Sequence, residues 1–423
     1  MVEEATLRYT ARRHMHQTLF ILGREPALSV AEIEAVADSL SASLTAIKPT
    51  FAVLQHLADL EPKILERLGG TIKLASVIAE WTKEADRQDM LQSVLSHCSV
   101  EWLANLIPEG RVEYGVSTYG LSDAQGRKTR QHFLGLKKSL KSMGRSARFV
   151  TSNEPTLSAV TLVRQGLMKH GREFIVAADE NTFWLAITTV VQGYQAYGLR
   201  DFGRPKANPK SGMIPPKLAQ ILLNLAQVKP DDVVLDPFCG SGTILQEAVL
   251  LGVKQIHGSD ADTRVVADSQ ENIRWLFKEF PGHHATVEIL KRDVADRPTR
   301  ATVVVTEPSL GKPLRGHESA SGLNDQLRQL EKLYLAGFRR WAETLPPGGR
   351  VAMIWPEYTV QGQLRSPQIE AAVTELGFNL QPLLSESAIE ALAHPERSVL
   401  RYGRPDALVR RQIRKWIYTP TAP

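Results

Sequence analysis

Cysteine is scarce in this chain of 423 residues, and long hydrophobic runs are absent. The two cysteines, Cys98 and Cys239, lie far apart without any metal-binding spacing, which argues against a structural zinc site and for a reducing compartment. No apolar run reaches the length of a membrane span, and no apolar signal region follows the charged N-terminus. The composition therefore favours a cytoplasmic protein with no metal and no membrane partner.

A strong charge of one sign is also lacking. The formal net charge is +5 and the isoelectric point is about 9.1, which is compatible with binding a polyanion but does not require it. Hydrophobic residues make up 43% of the chain and charged residues 23%, as in ordinary globular proteins. The length predicts two or three domains.

Alternating strand and helix patterns predict where those domains lie. Residues 14–82 indicate a ferredoxin-like α+β module, in which Ser29 and Glu32 have the spacing of a helix capping box. Residues 83–191 indicate a second α+β module with a polar loop over 120–130 and a basic helix over 130–143. A linker rich in proline, glycine and basic residues covers 192–215. From 216 to 415 the strand–helix alternation predicts a doubly wound α/β fold with a parallel sheet.

The central feature of this last region is the stretch 233–242, which reads VVLDPFCGSG. A buried strand, a glycine-bearing turn and a helix follow one another here, and this order forms nucleotide pockets in doubly wound sheets. Gly240 and Gly242 allow the backbone to approach a ligand that faces the helix N-terminus.

Three acids indicate which ligand the pocket accepts. Asp236 opens the glycine turn, Asp260 ends the second predicted strand and Asp293 follows the third. A carboxylate after the second strand can accept both ribose hydroxyls, and one after the third can accept an adenine amine. Because Asp236 would repel a pyrophosphate, the set favours S-adenosylmethionine over a dinucleotide. Each acid alone is equally compatible with an ordinary solvated turn.

The turn VVLDPFCGSGT resembles the cofactor turn of class I methyltransferases that act on exocyclic amines. In that group an Asp/Asn-Pro-Pro-aromatic motif follows the fourth strand, where this chain has Glu307-Pro308-Ser309-Leu310-Gly311. The resemblance implies that Glu307 and the Pro308 carbonyl hold the amine, and that Phe238 packs beside the cofactor. Leu310 would offer only apolar contact in place of the aromatic platform. With Ser309 in place of the second proline, the loop is expected to be less rigid.

Further segments narrow the resemblance. FILGREPALSVAEIEAV (20–36), RLGGTIKLA (67–75), the linker with the following helix (191–226) and YGRPDALVRRQI (402–413) are similar to the THUMP-domain tRNA guanine-10 N2-methyltransferases. The resemblance extends from about residue 16 to 415. It implies that residues 83–191 form a THUMP-like RNA-binding domain, that tRNA is the substrate and S-adenosylmethionine the cofactor. It also implies a monomeric protein, for which a small activator subunit is an optional partner.

The remaining candidates are basic residues. Lys128, Arg130 and Lys137 are expected to contact RNA phosphates, or else form a solvated helix face. Arg200 and Arg204 either contact the target nucleotide or pair with Asp201 in the linker.

Two other functions remain open at this level. Loss of the aromatic in the acceptor motif is compatible with a tRNA-binding protein that has no catalytic activity. An amine methyltransferase acting on ribosomal RNA or DNA would share the same domain.

Overall fold

A computed structural model describes residues 15–58, 60–82, 89–207, 213–296, 299–360 and 362–420. They form two compact units. The first contains the described residues up to Ile21 together with Ala37–Leu65 and Ile72–Gln192. The second contains Leu22–Val36, Glu66–Thr71 and the chain from Gly193 onward. The division after Gln192 falls at the start of the predicted linker.

The strands and helices have the following bounds. The strands are β1 (His16–Leu22), β2 (Ala42–Ile47), β3 (Phe51–His56), β4 (Thr71–Thr82), β5 (Val112–Tyr119), β6 (Ala147–Val150), β7 (Arg172–Ala178), β8 (Thr182–Val191), β9 (Val233–Asp236), β10 (Gln255–Asp260), β11 (Thr286–Lys291), β12 (Val303–Thr306), β13 (Arg350–Val360), β14 (Gln363–Arg365), β15 (Phe378–Leu380), β16 (Leu400–Tyr402) and β17 (Val409–Tyr418). The helices are α1 (Pro26–Ala37), α2 (Ile64–Arg67), α3 (Met90–His97), α4 (Val100–Leu106), α5 (Asp123–Ser142), α6 (Ala159–Arg164), α7 (Tyr194–Gly198), α8 (Pro216–Leu225), α9 (Thr243–Leu250), α10 (Thr263–Glu279), α11 (Ala320–Ala342), α12 (Glu370–Glu375) and α13 (Glu386–Leu392). A π-helical turn covers Leu199–Gly203.

The first unit is built on one eight-stranded sheet, in the order β2-β3-β1-β4-β8-β7-β5-β6. This sheet corrects the predicted division between a domain at 14–82 and another at 83–191. β4, from the first predicted domain, pairs antiparallel with β8, from the second, along most of its length. Because a shared ladder satisfies the backbone of both strands, the two regions form one structural unit.

The basic helix of this unit begins earlier than the sequence pattern indicated. α5 starts at Asp123, capped by Ser122, whose side chain accepts from the Gln125 backbone while Gln125 reaches back to the Ser122 N–H. This reciprocal capping turns the predicted polar loop at 120–130 into the first turns of the helix. Lys128 and Arg130 therefore lie on α5.

The second unit contains the predicted doubly wound α/β fold. Its sheet has the order β11-β10-β9-β12-β13-β17-β15, with parallel pairing from β11 to β13 and an antiparallel β17 between β13 and β15. The chain order reverses between β9 and β12, and ligands of such sheets bind at the carboxyl ends of the strands at this point. None of the helices in the described ranges is long and apolar enough to cross a membrane.

The segment around α1 also belongs to the second unit. Ser29 lies inside α1 and donates to the Gly70 carbonyl, so the predicted capping box is wrong. Glu32 is buried and accepts from the backbone N–H groups of Gly69 and Gly70 and from the Asn224 side chain on α8. Burial raises the pKa of Glu32 to about 7, against the opposing effect of these hydrogen bonds. Buried polar contacts therefore join this helix to α8 of the same unit.

Candidate active site

The glycine turn connects β9 to α9 in the conformation that its glycines require. Gly240 and Gly242 have φ of +52° and +83°, a region that side chains other than glycine rarely adopt. A Cβ at Gly242 would lie 2.4 Å from the Ser269 hydroxyl on α10, whereas one at Gly240 would meet only the Phe238 carbonyl oxygen at 4.0 Å. Gly242 thus allows close helix packing, and Gly240 leaves open space above the turn.

Asp236 is buried at the start of this turn. Its carboxylate accepts from the Phe238 backbone at 3.2 Å and from the Thr306 hydroxyl at 2.6 Å. The pKa of Asp236 is raised to about 7, chiefly by burial and also by the nearby carboxylates of Asp260 and Glu307, while the two hydrogen bonds oppose the rise. Because Thr306 is the last residue of β12, this side chain joins the ends of two neighbouring strands.

The other two predicted acids lie at the same sheet edge. Asp260 accepts from the Gly240 N–H at 3.2 Å and from the Asp262 N–H at 3.0 Å, which aims its carboxylate at the glycine turn. Asp293 follows β11 and is exposed, and it accepts from the Ala295 N–H at 2.9 Å. We call the glycine turn with Asp236, Asp260 and Asp293 the donor half of the site.

The acceptor loop, which we define as Thr306–Gly311, leaves the same edge after β12. Its carbonyls are held by two tyrosines: Tyr334 on α11 donates to the Ser309 oxygen at 2.6 Å, and Tyr358 on β13 donates to the Leu310 oxygen at 2.5 Å. Two distant hydroxyls thus restrain the loop where the related motif has its second proline and the following aromatic. Pro308 is buried and Leu310 is half-buried.

Glu307 lies against Arg411 on β17. The Arg411 Nε donates to Glu307 Oε1 at 2.5 Å, and the two side chains are 21% and 11% exposed. Burial raises the pKa of Glu307, and the guanidinium of Arg411 opposes that rise.

The two linker arginines are both buried, but in different surroundings. Arg200 pairs with Glu247 on α9 at 2.7 Å and stacks on the Tyr197 ring at 4.4 Å. This corrects both expectations for Arg200, because its charge is neutralised by Glu247 inside the unit. Arg204 donates to the Thr243 hydroxyl at the first residue of α9 at 2.6 Å, so it adjoins the glycine turn.

Asn272 on α10 fixes the linker beside the same turn. Its side chain accepts from the Lys206 N–H at 3.0 Å and donates to the Ser241 carbonyl at 2.9 Å. Residues 208–212, also within the predicted linker, lie outside the described residues.

The predicted RNA-contacting residues are on α5 but are not equally available. Lys128 is exposed and pairs with Asp89 at 3.2 Å, and Arg130 donates to the Glu154 carbonyl. Lys137 is half-buried. The exposed face of the helix carries residues at helical spacing: Arg127, Gln131, Leu134, Lys138 and Lys141.

The donor half has the charge and the space that S-adenosylmethionine requires. Asp236, Asp260 and Glu307 interact electrostatically, and this negative surrounding suits the sulfonium cation and repels a pyrophosphate. The open space above Gly240 leaves room for a bound ligand to approach the turn. The residues therefore fit this cofactor. Cys239 is buried, and burial raises the pKa of its thiol, so no reactive thiolate lies in the turn.

Sequence reasoning missed the residues that hold the acceptor loop. Tyr334, Tyr358 and Arg411 lie outside the acceptor loop in the chain, and the motif at 307–311 does not indicate them. The available signal was the stretch 402–413, which contains Arg411 and resembles a family signature, but the strand that positions it was not predicted.

Comparison with known proteins supports the reading of this domain. Residues 204–365 match the family described as RMKL-like, methyltransferase domain. The chain is 34% identical over 160 residues to a tRNA (guanine(10)-N2)-dimethyltransferase from Methanothermobacter thermautotrophicus, covering 37% of this chain and 43% of the relative. It is 31% identical over 194 residues to a tRNA (guanine(6)-N2)-methyltransferase from Thermus thermophilus, covering 43% of this chain and 53% of the relative. The matches thus span about half the length of these relatives.

Solved structures match almost the whole chain at low identity. The crystal structure of TrmN from Thermus thermophilus has a TM-score of 0.54 at 17% identity, covering 96% of this chain and all of that one. A possible methylase from Clostridium difficile has a TM-score of 0.51 at 13% identity, covering 97% of this chain and 99% of that one. These likenesses establish the fold. The range that matches the RMKL-like methyltransferase domain, residues 204–365, contains the glycine turn, Asp260 and Glu307.

Proposed function

We propose that this protein transfers a methyl group from S-adenosylmethionine to the exocyclic N2 amine of a guanosine in tRNA. The observation that carries the proposal is the hydrogen bond from Thr306 to Asp236, which joins the donor half to the acceptor loop at one sheet edge. A methyl donor on the glycine turn and an amine at Glu307 would therefore be neighbours. The named tRNA guanine N2-methyltransferases among the relatives support the choice of substrate.

Each donor residue has a separate part in this proposal. Asp260 accepts the ribose hydroxyls, and Asp293 accepts the adenine amine. Asp236 is buried beneath the turn and contributes negative charge close to the sulfonium. Phe238 packs on the hydrophobic core from the turn, and its half-buried ring offers an apolar side to the cofactor.

The acceptor loop orients the amine. The guanine amine is a poor nucleophile because its lone pair is conjugated with the ring. Glu307 and the Pro308 carbonyl accept hydrogen bonds from the two N–H groups of the amine. These bonds turn its lone pair toward the methyl donor. One displacement forms the N–C bond as the S–C bond breaks, and the cationic product then loses a proton to water. No thiol nucleophile is needed, in agreement with the buried Cys239.

Phe202 is our candidate for the stacking role that Leu310 does not supply. Among the described residues it is the only exposed Phe, Trp or Tyr, with 72% of its surface accessible. It lies in the π-helical turn, two residues before Arg204, which contacts the first residue of α9. An aromatic ring stacked on a base contributes about 1–3 kcal/mol.

The first unit supplies the proposed RNA-binding surface. We assign it the THUMP-like role, with the exposed face of α5 contacting phosphates; Lys128, Arg130 and Lys137 remain at its margin. Position 10 is the proposed target, and the relative that modifies guanine 6 makes position 6 the alternative. A monomer in the cytoplasm, with or without a small activator subunit, completes the proposal.

The test uses the full chain, labelled S-adenosylmethionine and unmodified tRNA transcripts, followed by mass spectrometry of the nucleosides. We expect N2-methylguanosine, and no product with Asp260→Ala. Binding of both cofactor and tRNA without transfer to any tRNA would instead favour a silent binding protein. Transfer to ribosomal RNA or DNA but not to tRNA would show that the protein is an amine methyltransferase with one of these other substrates.

A further inference from the structure

The pairing of Glu307 with Arg411 has no counterpart in the motif that the sequence resembles. Arg411 lies on β17, where its backbone pairs with Pro356 on β13 and with Tyr402 on β16. A strand held on both sides fixes the base of this arginine side chain. Its Nε reaches Glu307 Oε1 at 2.5 Å, with both side chains largely shielded from water.

The titratable groups that act on Glu307 come from three elements, β9, α11 and β17. Asp236 on β9 and Tyr334 on α11 both interact with it electrostatically, and neither carries positive charge. Among the described residues, Arg411 on β17 is the cation that acts on Glu307. Burial alone raises the pKa of Glu307, so without Arg411 this carboxyl would take up a proton at higher pH.

Protonation would change what Glu307 can do. An ionised carboxylate only accepts hydrogen bonds, whereas a carboxylic acid presents one donor. The guanine amine needs an acceptor. Glutamate also has one more rotatable bond than the aspartate of the related motif, and a charge-assisted bond to a fixed arginine limits that freedom.

We propose that Arg411 is the positioning residue of Glu307, keeping its carboxylate ionised and directed at the substrate amine. This inference rests on the function proposed above. Glu307 and Arg411 then act as one unit, in which the arginine makes the longer acid equivalent to the shorter one of the related motif.

The pH profile of kcat/KM for tRNA tests this role. In Arg411→Gln the acid limb should move to higher pH by about one to three units, with activity recovering at alkaline pH. Arg411→Lys should keep the limb nearer its wild-type position. Arg410→Gln is the matched control, because Arg410 is the next residue on β17 and pairs with Glu357 instead. A uniform loss of activity at every pH, or an unchanged profile in Arg411→Gln, would overturn the proposal.

A second measurement does not depend on methyl transfer. Carbon-13 NMR of labelled glutamate carboxyls, with Glu307→Gln to assign the signal, follows the titration of Glu307 directly. Its midpoint should rise in Arg411→Gln and stay unchanged in Arg410→Gln; equal midpoints in all three proteins contradict the proposal. If wild type transfers no methyl group but the midpoint rises, the proposed function fails while the ionising effect of Arg411 stands.

Discussion

The glycine turn of the donor half is built from one continuous stretch of chain, whereas the acceptor loop is held by side chains from three distant elements. The glycine turn depends on two local features, the positive φ of Gly240 and Gly242. The acceptor loop depends on Tyr334, Tyr358 and Arg411, which lie on α11, β13 and β17. Local construction leaves a motif in the sequence, and construction from a distance leaves none. An acceptor motif that looks degenerate can therefore be well ordered.

The largest effect expected is that of Glu307→Ala. Removing the acceptor carboxylate should lower kcat by about 10²–10³, the usual cost of losing one group that orients or stabilises the reacting atoms. Donor affinity, measured by calorimetry, should fall much less than kcat, because the glycine turn, Asp260 and Asp293 remain in place. Glu375→Gln, an exposed acid, serves as control. A parallel loss of donor affinity would show that the two halves are not separable.

Asp236→Asn tests the residue that joins the halves. The pKa of Asp236 is raised by burial from 3.8 to about 7, so the folded protein binds more protons than the unfolded chain in this range. The free energy of unfolding contributed by this group therefore falls as pH rises from about 4 to about 7. Asparagine keeps both accepted hydrogen bonds and cannot ionise, so the variant should be more stable at neutral pH, by a few kcal/mol at most.

Denaturant unfolding of both proteins across this pH range measures the difference, and comparing slopes removes the shared contribution of Glu32. Lys254 lowers the pKa of the exposed Asp231, which acts on stability in the opposite direction, so Asp231→Asn should not reproduce the flatter slope expected of Asp236→Asn. If the free energy of unfolding changes with pH equally in wild type and Asp236→Asn, ionisation of Asp236 does not destabilise the folded protein. The donor should bind Asp236→Asn more weakly, since the negative charge is lost.

Phe202→Ala tests whether Phe202 stacks on the target base in place of the aromatic residue that the acceptor motif lacks. Loss of stacking should lower kcat/KM for tRNA about tenfold, and Phe202→Trp should retain most activity. The control is Leu199→Ala, an apolar side chain that is 39% exposed in the same turn. Equal losses in Phe202→Ala and Leu199→Ala would point to the turn itself and not to stacking.

The smallest effect is expected for the double variant Lys138→Ala and Lys141→Ala on α5. Each lost phosphate contact should lower the slope of log affinity against log salt by about one, with kcat unchanged. Filter binding of tRNA over a salt series measures this slope. Lys278→Ala, an exposed lysine of the second unit, should not alter it. An unchanged slope in the double variant would remove α5 from the RNA-binding surface.

Much of the fold follows from patterns within single segments. The predicted parallel sheet is present from β11 to β13, and the strand and helix predicted on either side of the glycine turn are β9 and α9. These strands are short apolar runs bounded by turn residues. β17 was missed because it carries Arg410, Arg411, Arg414 and Lys415, a charged pattern that resembles an exposed segment. Only its place between β13 and β15, with carboxylate partners such as Glu357, makes such a strand stable.

The site shows the same limit. The acids after β9 and β10 were found because parallel strands bring their carboxyl ends together, whatever lies between them. The two predicted roles of Arg200 are wrong because its partner Glu247 lies 47 residues away. Glu247 is in α9, a helix whose other residues are mostly apolar. Thr306 stands next to the acceptor motif but was overlooked, since a threonine ending a strand is common.

The placement of α1 has a consequence for how the protein is made. Its Glu32 is completed by Asn224, 192 residues later in the chain. At a synthesis rate of about 5–20 residues per second, roughly 10 to 40 seconds pass between the synthesis of Glu32 and that of Asn224. During this interval the apolar face of α1 and a glutamate destined for the interior stay exposed, at the ribosome or on a chaperone. A gene fragment that begins at residue 193 would encode a domain without this helix.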